Sequence, residues 1–341
     1  LFTGFTNRFA TALRAREDNT DIRGNVFDAS ASGSPNTGLV FIDTPVPGAF
    51  VLNTFVSVDG VSTFQGSPGN DTLIGTEGED VFLVSAGNDR IDGLGGVDTY
   101  DAGSTTSGVT VNLAANPFAG IPGFQPGTGF ATGGEIGTDG LTGIENVRGG
   151  TGNDVVVGDA GDNAMIASAG SDTFVGGAGP DTYDASAATV AVTVDLGAGT
   201  ATSAQFGSDT LSEVENVRTG SGADAVTGDG NANAISTGGG DDTIEGGGGD
   251  DTIDGGTGLD TAMFAGSVSA ADISINPNDG FDVASASEGT DTLVDVERVE
   301  HAGGTILFVG AGLFETIQDA IDAADAGDTI IVAEGNYAET L

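Results

Sequence analysis

The sequence predicts an all-β fold: a parallel β-roll or β-solenoid with β-strand spacers and short helices capping its N-terminal and C-terminal ends. Two observations predict it. Thirteen stretches fit one nine-residue template, Gly-Gly-x-Gly-x-Asp-x-(apolar)-x, in three unbroken runs. A short fixed period means stacked coils, because each unit buries its apolar face only against its neighbours. The eighth template position is also apolar or aromatic every time: Leu73, Phe82, Ile91, Tyr100, Val156, Met165, Phe174, Tyr183, Val226, Ile235, Ile244, Ile253 and Ala262. One inward side chain per repeat is what the middle of a three-residue strand supplies.

The first run (residues 66–101) has templates starting at Gly66, Gly75, Val84 and Gly93. The second (149–184) starts them at Gly149, Gly158, Ala167 and Gly176, and the third (219–263) at Thr219, Gly228, Thr237, Gly246 and Gly255. Six residues turn and three form a strand, so two repeats make an 18-residue coil with one strand on each side. The fourth position is Gly everywhere except Asn231. Gly and Asn tolerate positive φ, so a left-handed turn is expected there.

The sixth position carries the chemistry. It reads Asp71, Asp80, Asp89, Asp98; then Asp154, Asn163, Asp172, Asp181; then Asp224, Asn233, Asp242, Asp251, Asp260. Strands in adjacent coils lie about 4.8 Å apart. Side chains 18 residues apart therefore stack: Asp71 on Asp89, Asp80 on Asp98, Asp154 on Asp172, Asp224 on Asp242, and Asp242 on Asp260. Stacked carboxylates repel unless a cation lies between them. Carboxylate and carbonyl oxygens are hard ligands that suit Ca2+ better than zinc or copper. Asn163 and Asn233 are expected to weaken their sites by removing a charge. Asp242, with neighbours above and below, is expected to matter more than Asp98 at a run's end. Ala262 thins the core, which places the end of the roll there.

This pattern resembles the RTX, or hemolysin-type, calcium-binding repeat over roughly residues 66–300, spacers included. The resemblance implies a parallel β-roll holding calcium between consecutive turns, an extracellular location and export by a type I secretion system.

Composition narrows the partners. The 341 residues include no Cys, Trp or Lys, and the formal net charge is −43. Without disulfides, calcium becomes the staple, since binding to a site absent from the unfolded chain is folding free energy. Extracellular calcium modules bind at about 10⁻⁴–10⁻³ M. Such sites fill outside the cell and stay empty in the cytosol. Nucleic acid and anionic membrane are excluded as partners, because no basic surface exists to meet phosphates. Halophilic adaptation would scatter acids, whereas here many stand in register. No apolar run reaches the length of a membrane span, and no signal peptide is evident. The chain starts at Leu1 and ends mid-pattern at Leu341, and it reads as a processed product or an excerpt.

The spacers repeat as well. Residues 137–148, 207–218 and 289–299 share a Gly-(Thr/Ser)-Asp-x-Leu core followed by Val-Arg or Arg-Val. Alternating stretches at 109–113 and 192–196 precede the first two, and alternation means one buried face. The spacers 102–148, 185–218 and 264–309 are expected to continue the stack as longer, calcium-free coils, with loops such as 117–134 protruding. Glu145, Glu215 and Glu297 read as structural rather than catalytic, because they recur.

Residues 1–65 hold eight of the 18 Phe and four of the eight Arg. Phe2, Phe5, Phe9 and Leu13 are spaced for one helical face, serving either as a cap or as a docking arm. Residues 39–65 read as a degenerate spacer with strands at 51–58 and 61–64. At the other end, Ile317, Ala320, Ile321 and Ala324 have helical spacing, and a strand follows at 329–332. Residues 310–341 thus resemble the entry coil of a pectate-lyase-like right-handed β-helix, a family of polysaccharide lyases, epimerases and non-catalytic adhesins.

Catalytic machinery is missing: His301 is the only histidine, and no phosphate loop or zinc cluster exists. The sequence reads first as a secreted structural protein of a bacterium: a surface layer, matrix filament or adhesin stalk with self-association or cell-surface glycans as partners. The alternatives are the repeat portion of a secreted polysaccharide-acting enzyme, or of an RTX exoprotein or toxin.

Overall fold

The computed structural model describes residues 61–66, 68–114, 129–276, 280–310, 314 and 316–332, with isolated strands at 26–28, 39–41 and 54–56. The chain divides into two compact units, Leu1–Gly179 and Pro180–Leu341. The boundary falls within the last repeat of the second run.

Each unit is a parallel β-roll built from two ladders of short strands. In the first unit one ladder stacks Ser62–Gln65, Asp80–Leu83, Thr99–Asp101, Asn146–Arg148 and Ala164–Ile166, all parallel. Leu39–Phe41 pairs with its outer edge. The register places Phe64, Phe82, Tyr100, Val147 and Met165 in one column, with the Phe64 and Phe82 rings stacked at 5.1 Å. The eighth-position side chains are buried in every repeat, from Leu73 at 8% exposed to Phe82 and Tyr100 at 0%. Those columns are the core, and hydrophobic burial along them drives stacking.

The opposite ladder shows how a spacer is accommodated. Its order is Thr72–Ile74, Arg90–Asp92, Gly137–Thr142, Gly129–Gly133, Val109–Asn112, Val155–Val157, Thr173–Val175. The three spacer strands form an antiparallel meander laid in reverse. The last, Gly137–Thr142, sits on the first run, and the first, Val109–Asn112, receives the second run. The spacer is therefore not a longer coil. Residues 129–133, expected within a protruding loop, are a strand; 115–128 lie outside the described residues.

The second unit repeats the device. Val192–Asp195, Thr200–Ser203 and Gly207–Ser212 form a meander whose first strand pairs with Ala225–Thr227. Tyr183, Val217, Ile235, Ile253 and Leu293 align in one column. The third spacer builds its meander on this ladder, through Gly289–Val294, Gly280–Ser285 and Ile273–Asn276. The roll does not end at Ala262. Thr261–Phe264 pairs in parallel with Arg298–His301, and the core there is refilled by Phe281 stacked on Phe308 at 4.1 Å.

Left-handed glycines follow stacking rather than the template alone. Gly87, Gly96, Gly170, Gly179, Gly240, Gly249 and Gly258 have positive φ. Gly78, Gly152, Gly161, Gly222 and Asn231, in the first coil of each run, do not. The reason is the turn beneath: a Cβ on Gly258 would lie 1.7 Å from the Gly240 carbonyl oxygen. Gly78 and Gly161 have no such turn against them, whereas a Cβ on Gly152 or Gly222 would meet spacer backbone at Gly108 N (2.3 Å) or Val190 C (2.4 Å); Asn231 takes the same place without positive φ.

The C-terminal helix spans Ile317–Ala323, with Thr316 accepting the Asp319 N–H at 3.0 Å as N-cap. Ala320 is fully buried and Ile321 is exposed, so only part of the predicted apolar face packs. Thr329–Val332 then pairs in parallel with Gly304–Val309. The expected N-terminal helix at 2–13 lies outside the described residues.

Candidate metal centre

The thirteen sixth-position side chains are all buried, from 0% exposed at Asp260 to 9% at Asp71. They are held by one recurring contact. Within a run the backbone N–H donates to Oδ1 of the side chain one coil on: Asp71 to Asp89 at 2.9 Å, Asp80 to Asp98 at 2.8 Å, Asp154 to Asp172 at 2.9 Å. The same holds for Asp224 to Asp242 at 2.7 Å, Asn233 to Asp251 at 2.8 Å and Asp242 to Asp260 at 2.8 Å. The structure thus brings together the pairs expected from the 18-residue period. The contact fixes each carboxylate through one of its oxygens.

The fate of the second oxygen separates the sites. Thr76 and Ser85, at the template's second position, hydrogen-bond Oδ2 of Asp80 and Asp89, and Ser168 does so for Asp172. The Gly150 N–H serves Asp154. By contrast, Oδ2 of Asp98, Asp224, Asp242, Asp251 and Asp260 is buried and accepts no hydrogen bond. Thr219 and Thr237 lie near two of them but give their hydroxyl protons to the carbonyls of Thr237 and Gly255. A buried anionic oxygen without a donor is costly unless a cation compensates it.

The electrostatics agree. Burial, then the adjoining Asp80 and Glu145, push Asp98 up to about 7 against the lowering effect of the Asp80 amide. Burial likewise pushes Asp89 up to about 6, and Asp260 up to about 7 with Asp242 and Glu297 adding to it. Asp80, Asp154, Asp172, Asp224, Asp242 and Asp251 are raised as well, burial being the largest cause.

Among the described residues, no three His, Cys, Asp or Glu side chains converge as a metal cage. Side-chain pairs and turn carbonyls make up the donor set instead. A Cβ on Gly75 would meet Asp80 Oδ2 at 2.5 Å and the Gly93 carbonyl oxygen at 2.6 Å. Two oxygens thus meet there beside the Phe82 ring, and carboxylate with carbonyl oxygen is a donor set suited to calcium.

Asn163 and Asn233 behave differently from the weak ligands expected. Their Oδ1 atoms accept the N–H of Asp159 and Asp229, and their Nδ2 groups donate to the carbonyls of Glu145 and Glu215 at 3.1 and 2.8 Å. The amide joins adjacent coils directly, without an ion.

Two further sets of residues belong to the site. At the template's fifth position, Asn70, Asn153 and Asp241 accept backbone N–H groups from Asn88, Ser171 and Leu259 one coil on, forming an outer ladder. Asn or Asp at six of the thirteen fifth positions was the available signal. Spacer acids also cap the inner ladder. Asp139 and Asp291 accept the Asp89 and Asp251 N–H, while Glu145, Glu215 and Glu297 accept those of Asp98, Asp181 and Asp260. Tyr100 donates to Asp139 at 2.6 Å and Tyr183 to Asp209 at 2.8 Å.

The RTX calcium-binding nonapeptide repeat family model matches residues 58–100, 139–183 and 214–262 in overlapping segments. These stretches are RTX calcium-binding repeats. The matched residues are those of the carboxylate ladders. Among solved structures, the extracellular lipase LipA from Serratia marcescens is similar at 16% identity and a TM-score of 0.22, over 76% of this chain and 43% of the lipase. The chain thus spans less than half the lipase's length. No curated protein sequence matches the chain significantly.

Proposed function

We propose that this chain is a calcium-stapled structural segment of a secreted bacterial protein, serving a surface layer, matrix filament or adhesin stalk. The observation that carries it is the set of buried carboxylate oxygens without donors, stacked coil on coil. Uncompensated, they keep the chain expanded; millimolar calcium outside the cell neutralises them and stiffens the roll. RTX repeat proteins are typically exported by type I systems, and the outside of the cell is where this switch would find its calcium. Calcium acts as a folding ligand here, and the chain itself performs no catalysis. Self-association or cell-surface glycans are the partners of such a rod.

A second reading has its own observation. Helix Ile317–Ala323 followed by Thr329–Val332, in parallel on Gly304–Val309, is the order expected where a right-handed β-helix begins. The roll would then carry a polysaccharide-acting part of a longer protein.

Sedimentation of natively purified protein, in millimolar calcium and after chelation, separates the two. Large assemblies that collapse on chelation are expected for the structural role. A calcium-bound monomer would reduce the chain to a spacer module.

A further inference from the structure

The last Asp of each run has no following coil of the same run, yet its backbone N–H is not left to water. It donates to a spacer glutamate: Asp98 to Glu145 at 2.8 Å, Asp181 to Glu215 at 2.9 Å, Asp260 to Glu297 at 2.7 Å. Each glutamate thus stands where the next coil's Asp would stand. Two residues before each, the backbone is left-handed: Gly143 at φ 58°, Glu213 at φ 55° and Asp295 at φ 46°. L side chains avoid that region, but two of the three spacers hold it without glycine.

That conformation aims a carbonyl at the run-end carboxylate. A Cβ on Gly93 would meet the Gly143 carbonyl oxygen at 2.0 Å and Asp98 Oδ2 at 2.2 Å. At Gly255 the corresponding atoms are the Asp295 carbonyl oxygen at 2.3 Å and Asp260 Oδ2 at 2.9 Å. A carbonyl oxygen and a carboxylate oxygen, both acceptors, therefore lie beside the same glycine at each run end. Asp98 and Asp260 are 1% and 0% exposed, and neither Oδ2 accepts a hydrogen bond. A hard cation resolves this arrangement, whereas a backbone cap alone would leave the buried carboxylate oxygen bare.

We propose that the spacers bind calcium themselves: residues 143–145, 213–215 and 295–297 complete a cation site on the last Asp of the preceding run. The ligands are the run-end carboxylate, the spacer glutamate and the left-handed carbonyl. This rests on the calcium reading of the roll and extends it to segments that match the nonapeptide template nowhere. It also gives the spacers a task, sealing the final carboxylate of each run before the chain enters a meander.

Calorimetric titration of the full chain with calcium tests it, using the triple variant Glu145→Gln, Glu215→Gln, Glu297→Gln. Glutamine keeps an oxygen to accept the run-end N–H and removes only the charge. The expected result is that three ions per chain are lost or weakened at least about tenfold, the rest binding as before. Unchanged stoichiometry and affinities would overturn the proposal and leave the glutamates as backbone caps. Failure of the unsubstituted chain to bind calcium would instead overturn the roll's calcium reading, so the two failures are distinct. Anomalous diffraction from crystals of the unsubstituted protein grown in calcium decides the matter if the variant does not fold. A calcium peak in contact with both Asp260 and Glu297 supports the site; occupied sites elsewhere with none at Glu297 sink it.

Discussion

Replacing Asp242 with Asn should stabilise the roll in chelator and weaken its response to calcium. Asp242 lies between Asp224 and Asp260; its Oδ1 accepts one amide and its own amide serves the other. Its second oxygen is buried without a donor. Two carboxylates about 5 Å apart at an effective dielectric near 20 repel by about 3 kcal/mol. Asp260, pushed up to about 7, is part-protonated at neutral pH, which reduces the relief to about 2 kcal/mol. Asn233 shows that an asparagine fits such a position, its Nδ2 reaching the carbonyl one coil below at 2.8 Å. Asp242→Asn therefore gains about 2 kcal/mol in chelator. It also removes one anionic ligand from two sites. At about tenfold per site, the gain in stability on adding calcium shrinks by about 3 kcal/mol.

The assay is urea unfolding followed by circular dichroism, in chelator and in millimolar calcium, with Asp242→Ala alongside. Alanine also removes the charge but leaves the buried Asp224 N–H without its acceptor, so it should be about 1–3 kcal/mol less stable than asparagine in both buffers. If the Asn variant is no more stable than the unsubstituted chain in chelator, stacked repulsion does not govern the apo roll. If the calcium increment matches that of the unsubstituted chain, no ion contacts Asp242.

The remaining predictions concern pH and turns. In chelator, acidification should fold the chain: Asp89 at about 6 and Asp98, Asp139, Asp260 and Asp291 at about 7 hold protons more tightly folded than unfolded, near 3.9. That stability is present in full below about pH 4 and lost as pH rises through 6–7; a pH titration of circular dichroism showing the opposite slope would contradict the desolvation argument. Gly258→Ala should cost at least about 2 kcal/mol, because φ is +149° and the new Cβ meets the Gly240 carbonyl, whereas Asn231→Ala should stay within about 1 kcal/mol; thermal melts in calcium compare them. Tyr100→Phe should cost about 1.5–3 kcal/mol by removing the 2.6 Å donor from buried Asp139, read by the same urea assay, and no loss would mean that Asp139 is protonated in the folded chain.

The coil was legible in the sequence because its information is local and periodic. Nine-residue register fixes which side chain points in, and that in turn fixes which carboxylates stack 18 residues apart. The spacers were not legible to the same degree. Alternation at 109–113 announces a strand, but nothing in it says that residues 137–142 lie on the first run and 109–112 two strands further on. Meander order is set by long-range pairing, not by local pattern. The expectation that Asp98, at a run's end, matters less than Asp242 rested on the same local view. Glu145 is 47 residues away, so the sequence left Asp98 with one neighbour where the fold supplies two.

Three ways of joining stacked coils coexist in this chain, and they divide by what faces the carboxyl's second oxygen. Hydroxyls from Thr76, Ser85 and Ser168 satisfy it within one coil. Asn163 and Asn233 join coils with an amide. Only where the neighbouring position offers neither does a bare, buried oxygen remain, and in the third run Asp224, Asp242, Asp251 and Asp260 all belong to that class. In the first run Asp98 alone does, since Asp80 and Asp89 have hydroxyl partners. Calcium dependence should therefore be concentrated in the third run, with the first retaining more of its structure when the ion is withdrawn. Hydrogen exchange in chelator resolves the two: protection lost first at Ile235, Ile244 and Ile253 follows from this assignment, and simultaneous loss at Phe82 and Ile91 contradicts it.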